Sequence, residues 1–91
     1  MSENRLLVSL ITPTYNEKEN IPLLAEEIFK TVADYPEMDV ELIVVDDNSP
    51  DGTGQIAERL QSQFPIQVVH RKKKLGLGSA VMAGFNRSER P

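Results

Sequence analysis

The chain has 91 residues, of which 40% are apolar and 26% are charged, so it is long enough for one small globular domain. Ten basic and fourteen acidic side chains give a net charge of -4, which argues against a general nucleic-acid binder. The chain contains no cysteine, which excludes disulfides and Cys-ligated zinc, and no apolar run approaches the roughly 20 residues that cross a bilayer. Since no secretory leader is recognisable either, we expect a cytoplasmic protein.

Short apolar runs alternate with helical patterns along the chain. The predicted strands are Leu6 to Thr12, Val40 to Asp46 and Ile66 to His70, each rich in strand-forming residues. The predicted helices run from Ile21 to about Tyr35, from Ile56 to Phe64 and from Leu77 to Phe85. The order is therefore β-α-β-α-β-α.

This alternation predicts an α/β fold in which a parallel, Rossmann-like sheet forms one nucleotide-binding half. In such sheets the first strand is normally central, so three strands alone leave its far edge unpaired. We therefore expect residues 1–91 to be the N-terminal part of a larger domain. The open edge also predicts that the chain self-associates or packs against a neighbouring chain, and a monodisperse monomer in light scattering would contradict this.

Three polar loops follow the carboxyl ends of the strands, where ligands bind in open parallel sheets. They are residues 13–17, 46–49 and 71–79. Tyr15 could stack on a base or a ribose, and Asp47 could accept the ring N–H of guanine or uracil. Taken singly, Tyr15 is better explained by covering the sheet, and Asp46 and Asp47 by capping the next turn. Their combination favours a nucleoside site.

The third loop carries the basic run Arg71 to Lys74 and then the turn Gly76 to Gly78 before a helix. Ammonium groups, backbone N–H groups and the helix dipole there would converge on a diphosphate, although such basic runs are more often solvated loops. The turn is not a dinucleotide fingerprint, because Val81 stands where the third glycine is needed. Glu19 is explained by the helix dipole and His70 by a structural role, and no metal site can be assembled from the side chains present.

Three segments together carry a resemblance to a known family. They are Thr12-Pro13-Thr14-Tyr15-Asn16-Glu17, Val44-Val45-Asp46-Asp47-Asn48-Ser49-Pro50-Asp51-Gly52-Thr53 and Lys74-Leu75-Gly76-Leu77-Gly78-Ser79-Ala80. Their order and spacing, from about Leu7 to Phe85, resemble the family 2 glycosyltransferases. Within that family they look most like the polyprenyl-phosphate glycosyltransferases, which include the dolichol-phosphate mannosyltransferases.

The resemblance implies a GT-A fold and inverting transfer of a sugar, mannose in the most similar subfamily, from a GDP- or UDP-sugar to polyprenyl or dolichyl phosphate. The positions that match the family's nucleoside pocket are Pro13, Tyr15, Glu17 and Asp47, with Lys74 and Gly76 in a loop beside it. The family's DxD motif, which holds Mg²⁺ or Mn²⁺ against the donor diphosphate, is expected beyond Pro91. The acceptor site, the catalytic residues and any contact with a membrane surface are expected there too, so the chain itself should bind nucleotide at most.

Two other interpretations stay open at this point. Paired aspartates at a strand end also describe a receiver-like signalling module, although here strand one ends in Thr-Pro-Thr. Labelling of Asp46 or Asp47 by acetyl phosphate would identify that class. The second interpretation is a nucleotide-binding module without catalysis. A stop codon directly after Pro91 would favour it, whereas an apolar strand ending in Asp-x-Asp would favour the transferase.

Overall fold

The computed structural model describes residues 6–72, which form a three-stranded sheet and two helices. The strands are β1 (Leu6–Thr14), β2 (Met38–Asp46) and β3 (Ile66–His70), and the helices are α1 (Ile21–Val32) and α2 (Thr53–Leu60). Both strand pairs are parallel, so the α/β parallel-sheet fold expected from the sequence is confirmed. The predicted third helix, together with Lys74 and Gly76, lies outside the described residues.

The element bounds differ from the sequence-based ones at five ends, among them the start of β2, at Met38 rather than Val40, and the end of α2, at Leu60 rather than Phe64. β1 continues past Thr12 because its pairing with β2 extends as far as Thr14 opposite Asp46. α1 ends at Val32 because a tighter turn follows, in which the Tyr35 N–H donates to the Val32 carbonyl at 2.8 Å. α2 lies several residues earlier than predicted, since it begins as soon as the turn before Thr53 is complete. The bounds of β3 are those predicted.

The order of strands in the described sheet is β1-β2-β3, with β2 in the middle. Among residues 6–72, β1 pairs only with β2, so one edge of β1 has no strand against it in this part of the chain. Self-association through that edge stays a prediction. Neither α1 nor α2 combines the length and apolar character that crossing a bilayer requires.

One face of the sheet packs against both helices and forms the main core. The buried residues of this core are Ile21, Ala25, Leu42, Val44, Ala57, Leu60 and Ile66. The rings of Phe29 and Phe64 stack beside it with 5.2 Å between their centroids. Burial of each large aliphatic side chain contributes about 1.5–3 kcal/mol, and it fixes α1 and α2 so that both begin at the carboxyl end of the strands.

The opposite face of the sheet carries a buried carboxylate. Glu41 in β2 is only 3% exposed. Its Oε1 accepts the Ser9 hydroxyl of β1 at 2.8 Å, and its Oε2 accepts the Gln67 amide of β3 at 2.9 Å. Because a buried carboxylate is costly without donors, these bonds favour the one register that brings the three strands together here.

Candidate functional site

Two loops and the end of β3 meet at the carboxyl edge of the sheet, which we call the rim. Loop 1 comprises Tyr15 to Asn20 after β1, and loop 2 comprises Asp47 to Gly52 after β2. The Asp47 N–H donates to the Thr14 carbonyl at 3.1 Å, and the Arg71 N–H donates to the Asp46 carbonyl at 2.8 Å. The backbone therefore continues the sheet for one residue beyond each strand and brings the three chain segments together.

Asp46 lies under the rim and accepts hydrogen bonds from both neighbouring segments. Its Oδ1 accepts the hydroxyls of Thr14 at 2.8 Å and Ser49 at 2.6 Å, and its Oδ2 accepts the Ser49 N–H at 3.0 Å. The side chain is 2% exposed. Asp46 thus has the turn-capping role that the sequence allowed for it, because both of its oxygens accept hydrogen bonds from neighbouring residues of the chain.

Three consecutive N–H groups of loop 1 donate to side chains at the start of α2 or before it. The pairs are Asn16 to Ser49 Oγ at 3.0 Å, Glu17 to Thr53 Oγ1 at 2.9 Å and Lys18 to Asp51 Oδ2 at 3.1 Å. Asn16 and Asn48 adopt left-handed backbone conformations, with φ of 57° and 55°, that asparagine tolerates better than most residues. The two loops are consequently held as one unit by bonds between them.

Asp51 closes the start of α2. Its Oδ1 accepts both the hydroxyl and, at 3.0 Å, the N–H of Thr53. The Thr53 hydroxyl holds the pKa of Asp51 below its ordinary value, the N–H groups of Lys18 and Thr53 lower it further, and desolvation opposes them. Gly52, between the two, has a φ of 90°, which a residue with a Cβ rarely adopts.

Asp47 lies at the rim and forms a two-point ion pair with Arg71. Arg71 Nε donates to Asp47 Oδ1 at 2.6 Å, and its Nη2 donates to Oδ2 at 2.9 Å. The side chains of Arg71 and Asp47 are 10% and 6% exposed, respectively, and the Asp47 carboxylate raises the pKa of Arg71. Because each carboxylate oxygen has a second lone pair, Asp47 can still accept an N–H from a ligand while Arg71 fixes its orientation.

The other predicted site residues in the described part of the chain all belong to residues 13–17, at the end of β1 and the start of loop 1. Tyr15 is 41% exposed at the rim, as a ring that stacks on a ligand must be. Pro13 and Glu17 line a cavity of about 210 Å³, together with Thr12, Thr14, Asn20, Ile21 and Leu24. The Asn20 amide donates to Glu17 Oε2 at 2.9 Å. The segment 13–17 therefore borders this cavity and also contacts the Asp47 backbone, whose N–H donates to the Thr14 carbonyl.

Several residues that build the rim were missed from the sequence. In the sequence Arg71 is only the first residue of a basic run, whereas in the structure it is the partner of Asp47. Ser49 and Thr53 belong to the second family segment, but the sequence alone assigns them no structural role. The available signal was their motif spacing, which places a hydroxyl or carboxylate at every second position from Ser49 to Thr53. Lys74 and Gly76 stay predictions, since they lie outside the described residues.

The described residues do not fit a divalent metal. No group of three or more His, Asp or Glu side chains within residues 6–72 is arranged to hold a metal ion. The carboxylates nearest the rim already have partners within the chain, since Asp46 accepts three hydrogen bonds and Asp47 is paired with a guanidinium. Neither carboxylate is therefore assigned as a ligand of Mg²⁺ or Mn²⁺.

Comparison with known proteins decides the family. The sequence profile named "Glycosyl transferase family 2" matches residues 9–90, which is most of the chain. The chain belongs to this family. The glycosyltransferase family expected from the three sequence segments is thereby confirmed.

Among the relatives of this family 2 chain, three curated proteins are similar over 79 residues. They are "Dolichol-phosphate mannosyltransferase" of Pyrococcus furiosus at 46% identity, "Polyprenol monophosphomannose synthase" of Mycolicibacterium smegmatis at 44% and "Undecaprenyl-phosphate mannosyltransferase" of Micrococcus luteus at 48%. The matches cover 86%, 85% and 86% of the chain, but only 21%, 28% and 30% of the respective relatives. The chain therefore spans less than a third of the length of the curated relatives it matches.

A solved structure supports the GT-A type of fold for this family 2 chain. The structure is described as "Mannosyltransferase PcManGT from Pyrobaculum calidifontis in complex with GDP-Man and Mn2+". It superposes with a TM-score of 0.70 at 28% sequence identity, over 92% of this chain and 25% of that one. The predicted GT-A resemblance is confirmed for the α/β sheet and helices.

Proposed function

We propose that residues 1–91 form the nucleotide-binding part of a GT-A domain in an inverting enzyme that transfers mannose from a nucleotide diphosphate donor to a polyprenyl phosphate. The names of the three curated relatives support the sugar and the lipid-phosphate acceptor. The bound GDP-Man of the structural relative supports guanine rather than uracil as the base. Because the acceptors are lipid phosphates, we also propose that the enzyme acts at the cytoplasmic face of a membrane.

One observation in the structure supports the nucleotide site above all others. The Asp47 carboxylate is held in a fixed orientation by two bonds from Arg71, directly beside the segment that contains Tyr15. A carboxylate held in this way is suited to accept the ring N–H of a purine or pyrimidine, while an aromatic ring stacks on the base or ribose. A hydrogen bond from the base to the Asp47 carboxylate would be charge-assisted, and it would be strong because little of this carboxylate is exposed to water.

The other predicted contacts fit this arrangement. Glu17 and Pro13 border the cavity next to loop 1, where they would shape the nucleoside end of the site. Lys74 and Gly76 are proposed to face the diphosphate from the loop that follows β3. A divalent metal, when bound, would neutralise the leaving diphosphate, and we assign its ligands to no residue between 6 and 72.

Isothermal titration of the 91-residue chain with GDP and UDP tests the proposal. We expect GDP to bind, and Asp47→Ala to weaken its binding at least about tenfold, which corresponds to about 1.4 kcal/mol. Asp34→Asn is the matched control, because Asp34 is an exposed carboxylate after α1, at the opposite end of the sheet, and should bind like the wild type. Equal affinity of the Asp47→Ala chain and the wild type would exclude Asp47 from the site.

A further inference from the structure

Loop 1 carries two of the proposed ligand contacts, Tyr15 and Glu17. In its second half, the N–H groups of Asn20 and Ile21 donate to the Glu17 carbonyl at 3.0 and 2.9 Å, and the Asn20 side-chain amide donates to Glu17 Oε2 at 2.9 Å. These close the turn that leads into α1. They do not fix how the first half of loop 1 lies relative to Asp47, so that relation depends on bonds to loop 2 and to the start of α2.

The most buried of these bonds form a short hydrogen-bond chain, from the Glu17 N–H through the Thr53 hydroxyl to the Asp51 carboxylate. The Glu17 N–H donates to the Thr53 hydroxyl at 2.9 Å, and the same hydroxyl donates its only proton to Asp51 Oδ1. Thr53 is fully buried, with 0% exposure. Since a carboxylate accepts only, Asp51 forces the hydroxyl to turn its lone pairs toward Glu17, which makes the loop contact directional.

Asp51 also reaches loop 1 directly. Its second oxygen accepts the Lys18 N–H at 3.1 Å, so one carboxylate supports two successive peptide groups, one through Thr53 and one by itself. The hydrogen bonds of Thr53 and Lys18 keep the pKa of Asp51 low, so the carboxylate is charged over the neutral range. Charged acceptors make the stronger hydrogen bonds among those available to a peptide N–H.

We propose that Asp51 and Thr53 act as a latch that positions loop 1 for nucleotide binding, without touching the nucleotide themselves. The latch holds the peptide groups of Glu17 and Lys18, and thereby sets where Tyr15 lies relative to the Asp47 carboxylate. Both are positioning residues. This inference rests on the proposed nucleotide site, but the arrangement of the latch can be tested independently of any ligand.

The test compares Thr53→Val with Thr53→Ser in the 91-residue chain. Valine fills the buried space but removes the hydroxyl, whereas serine keeps it, so only valine should release the Glu17 peptide group. We expect Thr53→Val to speed hydrogen exchange at the Glu17 amide by about tenfold or more and to weaken GDP binding by about tenfold. Exchange at the β2 amides of Leu42 and Val44 should change less, and Thr53→Ser should restore both properties.

A second variant keeps the test decisive if Thr53→Val unfolds. Asp51→Asn alters the other half of the latch at a partly exposed position and should speed exchange at the Lys18 and Glu17 amides. Unchanged exchange at Glu17 in a folded variant overturns the latch, whether or not nucleotide binds. Faster exchange with wild-type GDP affinity overturns its role in positioning. Failure of the wild type to bind GDP instead refutes the proposed function, while the exchange data still decide whether the latch exists.

Discussion

Asp46 and Asp47 are adjacent in the sequence and almost equally buried, at 2% and 5% exposure, yet they belong to two different regions of the rim. Asp46 lies in the inner region, where hydroxyl and backbone groups of Thr14 and Ser49 donate to it. Asp47 lies in the outer region, where its partner is the guanidinium of Arg71. The inner carboxylate thus has neutral partners, and the outer one has a cation.

The difference follows from the geometry of the end of a strand. Successive side chains of a strand point to opposite faces, so Asp46 continues the row of Leu42 and Val44 toward the helices, and the next residue turns away from it. On the helix side, Asp46 is enclosed and serves the scaffold. At the outer side, Asp47 keeps lone pairs that a ligand could use. Substitutions in the inner region should therefore lower stability, and substitutions in the outer region should weaken nucleotide binding.

The largest expected effect is on stability, from Asp46→Ala. The substitution leaves the buried Thr14 hydroxyl and two donors of Ser49 without their acceptor, at a cost of about 3 kcal/mol or more in the free energy of unfolding. Urea unfolding followed by circular dichroism measures the loss. Asp46→Asn, which keeps one acceptor oxygen, should lose clearly less. If Asp46→Ala were as stable as the wild type, the inner region would not be scaffold.

The next effect is predicted for Gly54→Ala at the first turn of α2. A Cβ there would lie 2.8 Å from His70 Cε1 and 3.1 Å from Asp46 Oδ2. The exposed His70 ring can move, although it must leave its contact with Glu58, but Asp46 is held by three bonds. We expect a loss of about 1–2 kcal/mol in thermal or urea unfolding, because overpacking displaces the helix from the strand end.

A double variant shows which neighbour resists the new methyl group. Adding His70→Ala to Gly54→Ala removes the closest contact and leaves the one with Asp46. We expect Gly54→Ala to cost less free energy of unfolding in the His70→Ala chain than in the wild type, but still to cost some. Complete recovery would mean that Asp46 is less rigid than the inner region requires.

The outer region should respond in binding rather than in stability. Arg71→Lys keeps the positive charge but cannot make the two parallel bonds that orient the Asp47 carboxylate. We expect the affinity for GDP to fall by roughly three- to tenfold, with a smaller change in unfolding than for Asp46→Ala. Lys72→Arg is the control, because it makes the opposite substitution at the next residue, which is exposed, and it should leave the affinity for GDP unchanged. An unchanged affinity in Arg71→Lys would remove the orienting role of the guanidinium.

The sequence was sufficient for the fold because the relevant patterns are local. Strand β3 was predicted with its observed bounds, since its apolar run lies between Pro65 and a basic loop. The sequence predicts the start of α2 at Ile56, where the periodicity of apolar residues begins. The helix instead begins at Thr53, because the turn that starts it is formed by Asp51 and Thr53. Apolar periodicity does not register a helix start made by polar groups.

The candidate site was predicted only in part because its bonds join distant residues. Asp47 could be singled out as a carboxylate at a strand end, but Arg71 is 24 residues away and Thr53 is 36 residues from Glu17. Such pairs become neighbours only once the register of three strands is known. The hydrogen bonds of the buried Glu41 could not be predicted for the same reason, since its donors Ser9 and Gln67 lie on the two other strands.

The smallest effect concerns pH and the charge of Asp51. Its pKa in the folded chain is below the ordinary value of 3.8, chiefly through the Thr53 hydroxyl, so the folded state favours the ionised carboxylate. The resulting stability is present above the unfolded pKa and is lost as the pH falls through the folded one. We therefore expect Asp51→Asn to be less stable than the wild type at about pH 6 and to approach it near about pH 3.

Urea unfolding of both chains across this range measures the difference, in which the other carboxylates largely cancel. Asp34→Asn, an exposed carboxylate at the far end of the sheet, should follow the wild type throughout. The comparison also separates charge from geometry at the loop junction. A gap between the Asp51→Asn chain and the wild type that stays constant with pH would assign the effect to the hydrogen-bonding shape of the side chain. A gap that closes in acid would show that the ionised carboxylate itself holds loop 1 beside the rim.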